Sequence, residues 1–393
     1  MTATAVGGAM GLPVPVVPRE VVEHAQATGA LESPLIWGTF VSLAVAAAML
    51  AFRFRGRTGA RRSALAVMLC CVVLGAVTAT NSYVGYIRTP RDLALLLQRG
   101  GGPLRALGEV IDDGSADTRP RPAGFATPDG VHAPILERLA VADPANAVPE
   151  GRTFVLLPPG YHDRANDNRR YPVTYLVHGF PAAPEDWLGA GDAPGTLRMA
   201  YLHRAIAPMI VVSVDLTAGQ PGRDLDGLDI PGGPRLETYL AQTVVATIDR
   251  HYRTIPDRTH RALGGMSGGA FAALNIGLHH TDKFAALLLT MPYDTTTNGG
   301  LLGADPALVA ANTPRTYLPT MPFPNPVATI LTAGTGAPAD ITTANRIADA
   351  LHARGQGAVV HLQRGYNHTW HTARAALPYL LAFADQVFKN GPR

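Results

Sequence analysis

The stretch LGGMSGGAFAAL, residues 263–274, holds a single serine among small residues. An apolar strand pattern precedes it, and the AFAALNIGLHH that follows has its large apolar residues spaced for one buried helix face. Residues 265–269 fit G-x-S-x-G, the nucleophile elbow, in which glycines permit a sharp strand-to-helix turn that exposes the serine hydroxyl. The pattern predicts Ser267 as a nucleophile. By itself it also fits a structural glycine turn, so the partners of the serine must decide.

The chain on either side of this turn alternates strand and helix patterns from about residue 125 onward. Apolar strand patterns occur at 132–142, 152–161, 171–179, 207–216, 284–294, 327–335 and 358–365. Helix patterns occur at 235–252, 339–355 and 374–388. Strands that alternate with helices predict an α/β fold, with a mostly parallel sheet covered by helices on both faces.

The first ninety residues differ from the rest. No charged residue occurs in 33–52 or in 63–87, and each run is about long enough to cross a hydrocarbon core. The loop between them, RFRGRTGARR (53–62), has five arginines and no acid, which places it in the cytoplasm by the positive-inside rule. The N-terminus and everything after residue 87 then lie outside. Two alternatives remain: buried helices of a soluble protein, or a late cleavable signal sequence in the second run.

These patterns predict four regions. Residues 1–32 form a short extracytoplasmic N-terminus, and 33–87 form two transmembrane helices in the cell membrane. Residues 88–124, rich in Pro, Gly and Asp, read as a juxtamembrane linker. Residues 125–393 form the catalytic-type domain.

Composition excludes several classes of function. The net charge of +3 over 393 residues is too slight to indicate a nucleic-acid partner. No lysine follows the glycines of the elbow and no H-E-x-x-H occurs, so no cofactor and no metal are predicted. The acidic loop 217–234 departs from the spacing of a calcium loop, and its aspartates are predicted to form a solvated rim.

A hydrolytic serine needs a base, an acid that orients the base, and donors for the oxyanion. In an elbow architecture the three side chains follow the order serine, acid, histidine. The last strand pattern is followed by RGYNHTWHTARAALPYL, which contains His368 and, close by, His371. His368 is therefore the predicted base, with His371 as its competitor.

Four stretches, in this order, carry a resemblance to a known family: YPVTYLVHGF, LETYLAQTVVATIDRHYRT, LGGMSGGAFAALNIGLHHTDKFAALLLTMPYD and GYNHTWHTARAALPYLLAF. Together they resemble the "Putative esterase" family, the branch of α/β-hydrolases that holds esterase D and the mycolyltransferases. The resemblance covers about residues 125–388 and implies an α/β-hydrolase fold, here preceded by two transmembrane helices. The family histidine lies in a G-x-H-x-W-like segment, which 365–370 matches with one extra residue. The resemblance thus favours His368.

The resemblance also implies which groups hold the oxyanion. By position, the oxyanion donors are the backbone N–H groups of Gly268 and Phe180, since Pro181 has no N–H. Trp370 and Trp187 are candidates for lining a substrate pocket, with packing in the core as the alternative for both.

The acid is where this sequence departs from the family. Family members place Asp or Glu just after a strand that ends in Gly-Thr, whereas this chain reads AGTGAPAD, with Ala337 at the expected position. Asp340 is the first carboxylate there and is the favoured acid. Asp294, in MPYD, is the rival, and a site without an acid is the third possibility.

Three functions follow from these residues. The first is a membrane-anchored serine esterase that acts on an acyl-ester or lipid substrate outside the cytoplasm. The second is an acyltransferase, similar to mycolyltransferases, that moves the acyl group to a sugar or lipid hydroxyl of the cell envelope. The third is a catalytically silent binding domain tethered to the bilayer, for which the missing acid at Ala337 is the best support.

Overall fold

A computed structural model describes residues 12–90, 92–93, 120–122, 130–303 and 305–392. The predicted linker over 88–124 lies largely outside these residues. The described chain forms two compact units, and each is treated by itself below.

The smaller unit spans 27–114 together with 369–371. It contains helix α2 (Pro34–Arg53) and helix α3 (Thr58–Val84), which pack against each other. Both are long and apolar enough to cross a membrane, with mean hydropathies of 2.1 and 2.2, and only 11% of each apolar window is buried. Most of their large apolar side chains are therefore open to the surroundings, as in a helix that faces lipid.

The loop between α2 and α3 is shorter than the sequence patterns predict. The prediction put it at 53–62, but α2 includes Arg53 and α3 already begins at Thr58. Arginine is a good helix former, so both helices can extend into the charged segment. The ends of an uncharged run therefore do not mark the ends of the helix. The C-terminal boundary is set by Gly85, whose left-handed φ of 71° ends α3.

The larger unit joins the start of the chain to 115–368 and 372–393. Its first helix, α1 (Arg19–Gln26), packs on helix α4 (Ala193–Leu202). Val21 and Ala25 are buried in this contact, and the Nε2 atom of His24 lies 3.0 Å from Oδ2 of Asp192. The sequence patterns did not foresee that a helix before the apolar segments belongs to the catalytic-type domain.

The core of this unit is one sheet. Its described strands are β1 (Arg121–Pro122), β2 (Ile135–Asp143), β3 (Val148–Leu157), β4 (Val173–Val177), β5 (Ile210–Val214), β6 (Arg261–Met266), β7 (Ala286–Thr290), β8 (Ala328–Gly334) and β9 (Gly357–Gln363). Their order is β1-β2-β3-β5-β4-β6-β7-β8-β9. Strands β4 to β9 run parallel, and β1 to β3 add an antiparallel edge. The central strands are buried along their whole length, which explains why they read as continuous apolar runs.

Helices cover the sheet. After α4 they are α5 (Leu236–Thr238, the π-helical Tyr239–Val244 and Val245–His251), α6 (Gly268–His279), α7 (Pro306–Ala311), α8 (Pro314–Tyr317), α9 (Pro338–Ala353) and α10 (Trp370–Asn390). Short 3-10 turns lie at Ala30–Glu32, Pro144–Asn146, Arg164–Asn166, Pro184–Trp187, Arg258–His260 and Gly299–Leu302. Helices α4, α7 and α8 were not anticipated from the sequence.

The parallel register gathers the functional segments at one edge. In the sheet, Val177 pairs with Gly265, Met266 with Thr290, and Thr290 with Thr332. The carboxyl ends of β4, β6, β7 and β8 therefore lie side by side, and the chain leaves each of them into a loop or helix start at that edge. This is the edge at which parallel sheets present their ligand sites.

Candidate active site

The serine sits on a strained turn between β6 and α6. Ser267 has φ 54° and ψ −123°, a left-handed backbone that a non-glycine residue adopts only when its surroundings enforce it. A methyl group on Gly265 would overlap the carbonyl of Gly269 and lie 2.8 Å from the carbonyl oxygen of Val177. The missing Cβ at this position thus lets strand and helix approach closely, as the elbow pattern requires.

Three predicted site residues meet at this turn. The Oγ atom of Ser267 lies 2.9 Å from Nε2 of His368, and Nδ1 of His368 lies 2.8 Å from Oδ2 of Asp340. A carboxylate only accepts hydrogen bonds, so Nδ1 carries the proton and Nε2 is free to accept from the serine hydroxyl. These distances give the arrangement of nucleophile, base and orienting acid.

The position of Asp340 explains how a carboxylate three residues late still reaches the histidine. Ala337, where the family acid was expected, caps helix α9, and Asp340 lies in the first turn of that helix. The side chain is 7% exposed. The start of a helix favours a negative charge, because unpaired N–H groups and the helix dipole both point toward it. A carboxylate in the first turn of α9 thus takes the place of the loop carboxylate expected at residue 337.

The rival carboxylate, Asp294, is engaged elsewhere. Arg315 and Arg346 both bind it, at shortest distances of 2.6 and 2.5 Å. Burial acts to raise the pKa of Asp294, but the hydrogen bonds and charges of the two arginines outweigh burial and lower it. This paired arrangement fits a structural carboxylate that holds the segment after β7.

The two predicted oxyanion donors lie close together. A methyl group on Gly268 would be 3.9 Å from the backbone nitrogen of Phe180, so the two backbone segments are neighbours at this turn. His178 shapes this turn: its Nε2 accepts from the N–H of Leu216 (3.3 Å), and its Nδ1 donates to the carbonyl of Gly179 (2.8 Å). An oxygen held between two such donors is the usual oxyanion arrangement.

A small cavity of about 30 Å³ opens next to these donors. Phe180, Leu216, Pro221 and Asp224 contribute to its walls, and Phe180 is 42% exposed. Neither tryptophan predicted to bind substrate lines it. Trp187 is fully buried and donates its indole N–H to the carbonyl of Val177 (3.0 Å).

Trp187 is therefore a core residue, and its predicted role in an acyl pocket is not supported. Trp370 begins α10 and is 5% exposed, which leaves little of its ring available to a substrate. Tryptophan is highly buried on average in folded proteins, so nearness to a site motif in sequence does not show that its ring faces a ligand.

The acidic loop is not the solvated rim that its composition predicts. Asp226 is 4% exposed. It accepts hydrogen bonds from Thr296, Thr297 and Asn298, which tie this loop to the segment after β7. Asp224 stays at the cavity wall, where burial and then the charge of Asp226 raise its pKa. In the part of the chain that the structure describes, no group of three or more His, Cys, Asp or Glu side chains is placed to hold a metal.

One side chain at the centre of the site was missed. The hydroxyl of Tyr293, in the segment after β7, lies 3.3 Å from Oγ of Ser267 and 3.4 Å from Nε2 of His368. The sequence contains no local signal for this position, because the strand pattern runs through Tyr293 to residue 294, whereas β7 ends at Thr290 and leaves Tyr293 at the edge of the sheet.

Comparisons with known proteins identify the family and the fold. Residues 149–378 match the model of the family described as "Putative esterase". This match covers more than half of the chain, which therefore belongs to that family. A ferulic acid esterase of solved structure superposes with a TM-score of 0.56 at 21% identity, covering 65% of this chain and 99% of that one. The predicted α/β-hydrolase fold is thereby confirmed.

Two curated relatives are similar over a shorter stretch. An esterase of Mycobacterium tuberculosis is 31% identical over 137 residues, which is 34% of this chain and 27% of the relative. An uncharacterized protein of Corynebacterium glutamicum is 31% identical over 140 residues, which is 34% of this chain and 31% of the relative. The chain thus spans about a third or less of the length of these relatives.

Proposed function

We propose that this chain is a membrane-anchored serine esterase that acts on an acyl ester outside the cytoplasm. Ser267 is the nucleophile, His368 the general base and acid, and Asp340 the carboxylate that orients the histidine. The observation that supports this proposal most directly is the continuous chain of hydrogen bonds from Ser267 through His368 to Asp340. The serine at its start lies on a strained turn between strand and helix. A silent binding domain would not need that strain or that alignment.

The chemistry follows from these positions. Nε2 of His368 takes the hydroxyl proton as Oγ of Ser267 attacks the ester carbonyl, and the N–H groups of Gly268 and Phe180 hold the oxyanion. Collapse of this intermediate breaks the bond to the alcohol, which leaves with the proton from Nε2. Water then repeats the sequence and releases the acid from Ser267. Asp340 keeps the imidazole in the required tautomer and stabilises its positive charge.

The acyltransferase alternative uses the same acyl-enzyme, with an alcohol in place of water at the second step. The anchor fits work on cell-envelope lipids, since it holds the site near a membrane. Product analysis with and without an added alcohol separates the two: an alcohol that raises ester product at the expense of free acid favours transfer.

The first test is covalent labelling of the serine. A fluorophosphonate probe added to membranes with the full chain should label the wild type, while Ser267→Ala and His368→Ala should each remove at least nine-tenths of the signal, because the probe needs an activated hydroxyl. His371→Ala is the matched control and should keep its label. Folded wild-type protein that takes no label would contradict the proposal.

The membrane arrangement is part of the proposal. Five arginines lie in segment 53–62, where α2 ends and α3 begins, which favours a hairpin with its loop in the cytoplasm. Helix α1 supports this topology independently. It precedes both apolar helices in the chain yet packs in the catalytic unit that follows them, so the two ends lie on one side of any membrane that α2 and α3 cross.

This topology predicts the outcome of cysteine labelling. Cys70 and Cys71 are the only cysteines, so replacing both with alanine provides a clean background. In that background, Glu150→Cys in the catalytic unit should react with a membrane-impermeant maleimide on intact cells. Gly56→Cys in the loop should react only after the cells are permeabilised. The reverse pattern, or equal labelling of both in intact cells, would rule out this orientation.

A further inference from the structure

We propose that Tyr293 is a further catalytic residue: its hydroxyl donates a hydrogen bond to the leaving-group oxygen of the ester. The proposal rests on the proposed esterase function and narrows its substrate class. It assigns the site to oxygen esters of unactivated alcohols, such as alkyl or sugar hydroxyls, over thioesters and aryl esters.

The hydroxyl of Tyr293 stands where the departing oxygen must be. With Oγ of Ser267 and Nε2 of His368 it forms a triangle whose sides are 2.9, 3.3 and 3.4 Å. The leaving oxygen shares a carbon with Oγ and must also reach Nε2 to collect its proton. A group within hydrogen-bonding range of both atoms is therefore next to that oxygen.

Three features hold Tyr293 in this place. Its ring stacks on the imidazole of His368, with centroids 5.8 Å apart and planes 16° apart. Met291 turns the chain out of β7 with a left-handed φ of 51°, and its N–H bonds to the carbonyl of Thr332 (2.7 Å). On the other side, the two arginines fix Asp294. A strained backbone residue between fixed neighbours is a common sign of a side chain positioned for function.

The hydroxyl helps one step in particular. As the tetrahedral intermediate collapses, the bond between carbon and the leaving oxygen breaks, and the electron pair stays on that oxygen. The proton comes from Nε2 of His368, while Tyr293 donates a hydrogen bond and keeps its own proton. The hydrogen bond from Tyr293 thus stabilises the negative charge that develops on the leaving oxygen before the proton arrives from His368.

The value of this hydrogen bond depends on the leaving group. An alkoxide is a strong base and carries large charge at the moment of cleavage, so a positioned donor lowers its barrier. A nitrophenolate or a thiolate is a weak base that departs without such help, and sulfur accepts hydrogen bonds weakly. A site that maintains this donor under backbone strain is therefore suited to unactivated oxygen esters.

The test compares two leaving groups in one protein. For the full chain, Tyr293→Phe should lower kcat/KM for ethyl butyrate about 10- to 100-fold, which is less than the roughly 10²- to 10³-fold cost of losing one oxyanion-hole donor, because His368 still supplies the proton. For p-nitrophenyl butyrate the same variant should fall less than about 3-fold. The ratio between the two esters is the readout, because a general loss of folded protein cannot change it.

Two further variants isolate the hydroxyl. Tyr293→Leu also removes the stacking on His368, and it should lower both rates while keeping the altered ratio. Tyr317→Phe is the matched control, since that phenol donates to Asn275 (3.0 Å) and not to the catalytic atoms, and it should leave the ratio unchanged.

Equal losses for both esters in Tyr293→Phe, or no loss for either, would overturn the role of Tyr293. Fluorophosphonate labelling keeps this failure separate from failure of the esterase proposal. If Tyr293→Phe takes the label normally but keeps the wild-type ratio between the two esters, only the proposed role of Tyr293 is rejected. If the wild type takes no label, the proposed esterase function is rejected.

Discussion

Asp340→Asn is expected to slow turnover about 10³- to 10⁴-fold while the protein stays folded. The side chain keeps its size, but an amide at this position can donate to Nδ1 of His368 and favour the tautomer with its proton on Nε2. Nε2 then cannot accept the proton of Ser267, and the positive imidazole loses its counter-charge. Losses near 10⁴ are known for this change in a serine triad. Steady-state hydrolysis of a p-nitrophenyl ester measures the effect.

Two aspartates serve as comparisons for this variant. Asp349 lies exposed on the same helix, so Asp349→Asn makes the same chemical change and should leave turnover within about 2-fold of the wild type. Asp294→Asn weakens the pairing with Arg315 and Arg346 and should mainly reduce thermal stability. If the large loss of turnover appeared in Asp294→Asn while Asp340→Asn stayed near normal, the assignment of the acid would be reversed.

Gly265→Ala is expected to disrupt the elbow itself. The added methyl would overlap the carbonyl of Gly269 and crowd that of Val177, and both are main-chain atoms of packed elements that cannot rotate aside. Overpacking of this kind costs about 1–3 kcal/mol or more. For a domain of this size, that corresponds to a fall in Tm of roughly 2–12 °C. Displacement of Ser267 should also remove fluorophosphonate labelling.

Gly268→Ala is the matched control for the elbow variant. A methyl at this neighbouring glycine meets nothing closer than 3.6 Å, the distance to Oδ2 of Asp224, so the fold should accept it. Its Tm should stay within about 2 °C of the wild type, by the same relation between free energy and Tm. If Gly265→Ala unfolds at the wild-type temperature and still takes the label, the close approach of β6 and α6 is not essential.

The parts of the site that depend on local sequence could be predicted. Five residues suffice for an elbow, and a sheet of parallel strands brings the loops after its strands to one edge, so Ser267 and His368 could be paired across a hundred residues. The oxyanion positions follow from the same topology. Asp340 could be favoured only narrowly, because the sequence does not show that α9 starts early enough for its first turn to face the histidine.

The parts that depend on long-range packing could not be predicted. Strand β7 was expected to continue to residue 294, but it ends at Thr290, because Met291 adopts a left-handed backbone. The local sequence MPYD does not indicate this conformation of Met291. Without it, the strand would continue, and Tyr293 would not be predicted to lie close to Ser267. Likewise, Trp187 is buried with its indole N–H donating to the carbonyl of Val177 in β4, and the sequence around Trp187 does not indicate this partner.

The docking of α1 on α4 has a consequence for how the protein is made. If α2 and α3 span the membrane, the ribosome completes α1 first, and this tail must be exported separately from the catalytic unit that it joins. The tail 1–32 has one arginine against three glutamates, which suits such export better than the five arginines of segment 53–62 do. The surface around Asp192 that receives α1 is synthesised more than a hundred residues later. With α2 and α3 in the membrane, assembly of the enzyme would therefore end with the docking of two separately translocated segments of one chain.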